Sequence, residues 1–114
     1  PNYSAADVDA TCAVLKAAGL REQVMIDVSH ANSSKQHQRQ ITVADDVAQQ
    51  IAAGDIRITG LMIESHLQEG RQDIVAGQPL TPGVSVTDAC ISLAQTVPLL
   101  ESLAAAVRTR RALR

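Results

Sequence analysis

Two short, mainly apolar runs, each stopping abruptly at polar residues, constrain this chain more than any other feature. Val24-Met25-Ile26-Asp27-Val28 gives way to Ser29-His30-Ala31-Asn32-Ser33-Ser34-Lys35, and Ile56 to Ile63 gives way to Glu64-Ser65-His66. Buried strands of a parallel sheet read this way, as apolar runs rather than strict alternation, with the polar stretch as the loop leaving the C-terminal end. The flanking segments carry helical spacing. Ser4, with Asp7 three residues on, resembles a capping box, and Val8, Cys12 and Leu15 then recur until Gly19, predicting a helix over residues 5–18. Ala44, Val47, Ala48 and Ile51 form a stripe closed by Gly54, predicting a second helix that ends near residue 53. Thr96 as a cap, Pro98 in the first turn, and Leu99, Leu100, Leu103 and Val107 as the apolar face predict a last helix. Before it lies a loop with Gly70, Gly77, Pro79, Pro82 and Gly83, long enough to serve a site rather than merely connect elements.

Buried strands alternating with helices predict a parallel α/β sheet. Two parallel strands make a poor sheet, because both are edges with unpaired backbone groups while their apolar faces ask for cover on both sides. The missing strands are therefore expected from residues outside these 114 or from another copy of the chain. The start at Pro1-Asn2-Tyr3, without an initiating Met, fits a piece of something longer. No internal repeat or low-complexity segment breaks the βα alternation.

Ten Lys and Arg against twelve Asp and Glu give a net charge of −2, and the pI is near 5.9, so nothing marks a nucleic-acid or anionic-membrane partner. Arg108, Arg110, Arg111 and Arg114 cluster at the C-terminal end of the last predicted helix, where cations complement the helix dipole. No apolar run reaches the roughly 20 residues that cross a bilayer. Cys12 and Cys90 are too few for a disulfide framework or a paired-cysteine zinc motif, and reduced cysteines in a cytoplasmic setting are the simpler reading.

His30 lies two residues past the first predicted strand and Glu64 immediately past the second. In parallel α/β folds the C-terminal mouth of the strands is where reactive groups converge. An imidazole and a carboxylate there suit a divalent metal, and Asp88 in the long loop offers a second oxygen ligand. Spacing alone does not choose between a metal site and unrelated loop groups. His37 reads as a solvated residue early in the second helix, and Asp45, Asp46, Gln49 and Gln50 as that helix's solvated face.

Three segments go further. Asp27-Val28-Ser29-His30-Ala31-Asn32-Ser33-Ser34-Lys35, Met62-Ile63-Glu64-Ser65-His66-Leu67 and Thr87-Asp88-Ala89-Cys90-Ile91 closely resemble the type I 3-deoxy-D-arabino-heptulosonate 7-phosphate synthases, in the same order and spacing. Pro1-Asn2-Tyr3-Ser4, Asp45-Asp46-Val47-Ala48-Gln49-Gln50-Ile51-Ala52 and Gly77-Gln78-Pro79-Leu80 read like the same family, so the similarity covers nearly the whole chain. The resemblance implies a TIM (β/α)8 barrel, with residues 1–114 as the C-terminal segment of its one catalytic domain, supplying about strands seven and eight and their helices. It implies His30, Glu64 and Asp88 as three of four ligands to one divalent ion, manganese, iron, cobalt or zinc, with a cysteine from an early barrel segment as the fourth. Neither Cys12 nor Cys90 matches that cysteine, and both read as small buried hydrophobes.

The implied activity is a transferase reaction of the shikimate pathway, leading to chorismate and the aromatic amino acids. Phosphoenolpyruvate and erythrose 4-phosphate condense in an aldol-like step: C3 of the enol attacks the aldehyde, water attacks C2, and inorganic phosphate leaves. His30 and Asp88 are the implied catalytic residues, and Asp88 also contacts a substrate hydroxyl. Lys35 either orders its loop or contacts substrate, and His66 either supports Glu64 from behind or is an ordinary loop histidine. Two phosphorylated substrates need a cluster of Arg and Lys, and these residues lack it, so the chain by itself is expected to be inactive and to need the rest of the barrel or a homo-oligomer. A sister 3-deoxy-manno-octulosonate 8-phosphate synthase shares the chemistry, and a stand-alone metal-binding or interaction module is the non-enzymatic alternative.

Overall fold

The computed structural model describes all residues, Pro1–Arg114. Helix α1 spans Ala5–Ala17 and opens with the expected box: Asp7 N–H donates to Ser4 Oγ at 3.2 Å, and Ser4 N–H donates to Asp7 Oδ2 at 3.2 Å. Gly19, at φ +73°, ends it, and the N–H of Leu20 reaches back to the carbonyl of Leu15 at 2.9 Å. Strand β1, Val24–Asp27, pairs in parallel with β2, Ile58–Met62, in the register Ile26↔Leu61 and Asp27↔Met62. Between them run a single 3-10 turn at His30–Ser33 and helix α2, Arg39–Ala52.

Strand β2 is shorter than the Ile56–Ile63 run because Ile56 is exposed and Arg57 is tied down locally, its Nε donating to Asp55 Oδ1 at 2.9 Å. Two strands of two residues each, β3 at Ser65–His66 and β4 at Ile91–Ser92, were not legible as apolar runs. They pair in parallel, Ser65↔Ile91 and His66↔Ser92. Helix α3, Leu93–Ala112, begins earlier than Thr96 predicts. Ser92 and Gln95 form a complete capping box, whereas the Thr96 hydroxyl donates to the Ser92 carbonyl at 2.8 Å and meets Ser65 Oγ at 2.6 Å. Pro98 therefore lies inside the helix. Leu99 faces the core as expected, but Leu100 is exposed, and buried Thr96 and Ala106 complete the packed face. Arg110 also does more than complement a dipole, donating through Nη1 to the carbonyls of Asp55 and Ile58 at 2.8 and 2.9 Å.

Helices α2 and α3 pack on each other and on one face of the β1–β2 pair. Val43, Ala44, Val47 and Ile51 of α2 meet Ile26, Val28 and Ile58 from the sheet and Leu99 from α3. The other face is open: Met25 is 65% exposed, and the expected two-sided cover is not supplied within these residues. The radius of gyration, 16.5 Å, compares with about 13 Å for a compact domain of this length.

One contact joins the core to the strand ends. Gln40 of α2 is 1% exposed, and its amide grips the backbone of Glu64, with Oε1 accepting from the Glu64 N–H at 2.8 Å and Nε2 donating to the Glu64 carbonyl at 3.2 Å. The amide does the work of a neighbouring strand where β2 has ended. Gln40→Leu removes the only acceptor for the Glu64 N–H and is expected to cost about 1–3 kcal/mol in a denaturant titration; an unchanged midpoint would show that the clamp is dispensable. The open face and edge of β1 give a second expectation. The isolated 114-residue chain should self-associate, with a melting temperature that rises with protein concentration, and a monomer with a concentration-independent melt would contradict it.

Candidate metal centre

The site is built at the C-terminal ends of β1 and β2. After Asp27 the chain turns sharply: His30, Ser34 and Lys35 all have φ between +52° and +60°, which side chains with a Cβ rarely adopt. The turn holds because its polar groups are satisfied inwardly. Ser29 and Ser33 are buried, Asn32 Nδ2 donates to the Asp27 carbonyl at 2.8 Å, and Lys35 N–H donates to the His30 carbonyl at 2.8 Å. This backbone folds the His30 ring over the strand end.

Glu64 is delivered by β2 and fixed by Gln40. Asp88 is delivered differently, through a chain of backbone pairings along the long loop. The Ile91 N–H donates to the Glu64 carbonyl at 3.1 Å, and Gly70 and Cys90 exchange backbone bonds at 2.9 and 3.1 Å. Gln72 staples the loop interior, donating to the carbonyls of Thr81 and Val84 at 2.8 and 2.9 Å. The outcome is convergence: His30 Nε2 lies 3.3 Å from Glu64 Oε1 and 3.2 Å from Asp88 Oδ2, and one ligand atom from each residue falls within 4.8 Å of the others.

The electrostatics suit a cation. His30 is held above the usual imidazole pKa, mainly by its hydrogen bond to Asp27, then by the Glu64 charge, against the opposing effect of burial. Burial pushes the Asp27 carboxyl up, but hydrogen bonds from Ser29 and His30 outweigh it and leave the group below the usual range. One imidazole nitrogen and two carboxylates form a donor set of intermediate softness, which fits manganese, iron, cobalt or zinc, and three protein ligands leave coordination positions free. Cys90 is not among the converging groups: its Sγ lies against the Asp88 carbonyl at 3.4 Å, and burial raises its thiol pKa. Cys12 is fully buried in the core with Val8, far from ligand duty.

The cleft around these groups has a volume of about 270 Å³ and only one apolar lining residue, Ala89. Lys35 lines it, so the residue both closes its loop and faces the site. Arg71, passed over in the sequence, lines it too, with Nε donating to the Thr87 carbonyl at 2.9 Å. His37 is not a solvated helix residue: it precedes α2, lines the cleft, and its Nε2 lies 2.9 Å from Glu69 Oε1. His66 is not behind Glu64. It is exposed, and its Nδ1 lies against the Gly83 carbonyl. Asp27 and Gln40 were also missed as site residues. Asp27 stands three residues before His30, and only the left-handed turn makes that spacing a contact, so no periodicity marks it.

The model of the DAHP synthetase I family matches residues 1–101. The chain is 55% identical over 111 residues to the Phe-sensitive phospho-2-dehydro-3-deoxyheptonate aldolase of Escherichia coli strain K12, covering 97% of this chain and 32% of that protein. It is 52% identical over 111 residues to the phospho-2-dehydro-3-deoxyheptonate aldolase of Haemophilus influenzae, covering 97% of this chain and 31% of that one. The solved structure of the phospho-2-dehydro-3-deoxyheptonate aldolase from Francisella tularensis superposes with a TM-score of 0.91 at 49% identity, over 96% of this chain and 32% of its own. The chain thus spans about a third of the length of the relatives it matches. With the three segments, their spacing and the fold in agreement, this chain belongs to the DAHP synthetase I family.

Proposed function

We propose that these residues form the C-terminal third of a metal-dependent synthase that condenses phosphoenolpyruvate and erythrose 4-phosphate to 3-deoxy-D-arabino-heptulosonate 7-phosphate and inorganic phosphate, opening the shikimate pathway. The observation that carries it is the meeting of His30, Glu64 and Asp88 at the strand ends, in a chain of this family. The same reading takes β1 and β2 as strands seven and eight of a (β/α)8 barrel. A parallel pair covered by helices on one face, with its site at the C-terminal mouth, is what a sector of such a barrel looks like. The curated names of the relatives favour this synthase over the octulosonate one.

His30 would bind the ion through Nε2, with Glu64 and Asp88 offsetting its charge, and the fourth ligand would be a cysteine from outside these residues. A divalent ion so held supplies Lewis acidity for an aldehyde oxygen on which negative charge develops, worth several kcal/mol in general. The residues of this chain set the conditions around it. The two carboxylates keep the strand mouth anionic, so only a cation settles there, while Lys35 and Arg71 on the cleft wall offset that charge for phosphorylated substrates. Asp88, 65% exposed, keeps an oxygen accessible to a substrate hydroxyl. The remaining basic residues for two phosphates would come from the rest of the barrel. A cytoplasmic homo-oligomer is the expected setting, and no helix is long and apolar enough to cross a membrane.

In the full-length polypeptide, His30→Ala, Glu64→Ala and Asp88→Ala should each reduce metal-dependent phosphate release by more than the roughly 10–100-fold that losing a supporting contact costs. Far-ultraviolet circular dichroism should remain that of the parent. Near-parent turnover in any of the three would sink the ligand assignment. Chelation should likewise abolish phosphate release, and added Mn2+ or Co2+ should restore it; activity that persists through chelation would rule the metal role out.

A further inference from the structure

We propose that Asp27 is a positioning residue that presents His30 to the cation by holding the imidazole in one tautomer and one ring orientation. The inference rests on the metal reading above and adds to it a residue that the donor set alone does not contain. Asp27 is the last residue of β1, paired with Met62, so its backbone is fixed by the sheet. Its carbonyl is held by Asn32 Nδ2 at 2.8 Å. Oδ1 accepts the Ser29 N–H at 2.8 Å and also the Ser29 hydroxyl, which leaves Oδ2 aimed at His30 Nδ1, 2.8 Å away.

An ionised carboxylate can only accept, so the proton on the ring belongs to Nδ1. Nε2 is the nitrogen that faces Glu64 and Asp88, at 3.3 and 3.2 Å, so a cation taking the place of the proton between them would meet the Nε2 lone pair while Nδ1 keeps its hydrogen on Asp27. The Ser29 hydroxyl, 2.9 Å from Nδ1, closes the same side of the ring. Without Asp27 nothing else within hydrogen-bond reach of Nδ1 carries a negative charge, and the half-exposed ring could turn or change tautomer. Carboxylates behind metal-bound imidazoles act this way, fixing the ring and raising its donor strength.

The test is Co2+ binding to the full-length polypeptide, followed by visible absorption, in the parent and in Asp27→Asn, Asp27→Glu and His30→Ala. Asp27→Asn keeps the shape but not the charge and should lower Co2+ affinity about 10–100-fold with a melting temperature close to the parent's and an altered absorption band. Asp27→Glu, which restores a carboxylate on a longer arm, should recover part of the loss. Should the Asn variant melt early, Asp27→Ser takes its place: a parental melt with parental affinity and band in that variant, which has no carboxylate, would overturn the role. Parental affinity and band in Asp27→Asn, with binding lost in His30→Ala, would overturn this inference alone. Equal Co2+ binding in the parent and His30→Ala would overturn it together with the metal reading.

Discussion

The pairing of β1 with β2 is the constraint on which the rest depends. Parallel strands lie roughly 4.8 Å apart, so residues leaving their C-terminal ends are neighbours without further design. The register Asp27↔Met62 decides which residues those are. A shift of one residue would turn Ile26 out of the core and swing Glu64 to the opposite side. The apolar side chains that bury the sheet against α2 and α3 therefore also fix the distance between His30 and Glu64, two of the three candidate ligands, and core packing and site geometry are one problem.

The same pairing sets an electrostatic cost. Asp27, Glu64 and Asp88 surround a single imidazole, and like charges this close repel unless something positive lies among them. The site offsets part of the repulsion with hydrogen bonds to Asp27 from Ser29 and with Lys35 and Arg71 at the rim. The remaining repulsion would fall if a positive charge sat between Nε2 and the two carboxylates, which is the physical basis for reading the cluster as a cation site. Three residues with left-handed backbone in the same turn add strain to charge. Such concentrations survive where a packed scaffold over-determines them, and Gln40, with both its amide atoms spent on the Glu64 backbone, is part of that scaffold here.

What was legible in the sequence, and what was not, follows from the range of each interaction. Val24 to Asp27, the α2 stripe and the Ser4 box depend on near neighbours, so periodicity and capping chemistry place them within a residue or two. The start of α3 was misread because two cap candidates compete within five residues, Ser92 and Thr96, and the winner is set by the Gln95 side chain and by Ser65 across the fold. β3 and β4 carry two residues each, too few for any period, and exist because their strands meet in space. His37 was assigned to solvent because its partner, Glu69, lies in the long loop. His30, Glu64 and Asp88 were named on a family resemblance; spacing alone left them undecided, and Asp27 and Arg71, which only tertiary structure brings to the cleft, were not seen.

The three candidate ligands are not held alike. His30 and Glu64 each follow a core strand and are gripped from behind, one ring nitrogen by Asp27 and one peptide by Gln40. Asp88 has no such grip on its side chain and reaches the site at the far end of some twenty loop residues, its place fixed by the Gly70–Cys90 and Ser65–Ile91 backbone pairings. Loops held by few pairings and little buried apolar surface open more easily than cores. Within this arrangement the core strands set the positions of His30 and Glu64, and the position of Asp88 rests on the loop's backbone pairings. The same loop carries Arg71 to the cleft wall, where its Nε donates to the Thr87 carbonyl at 2.9 Å and its Nη2 pairs with Asp73 at 2.6 Å.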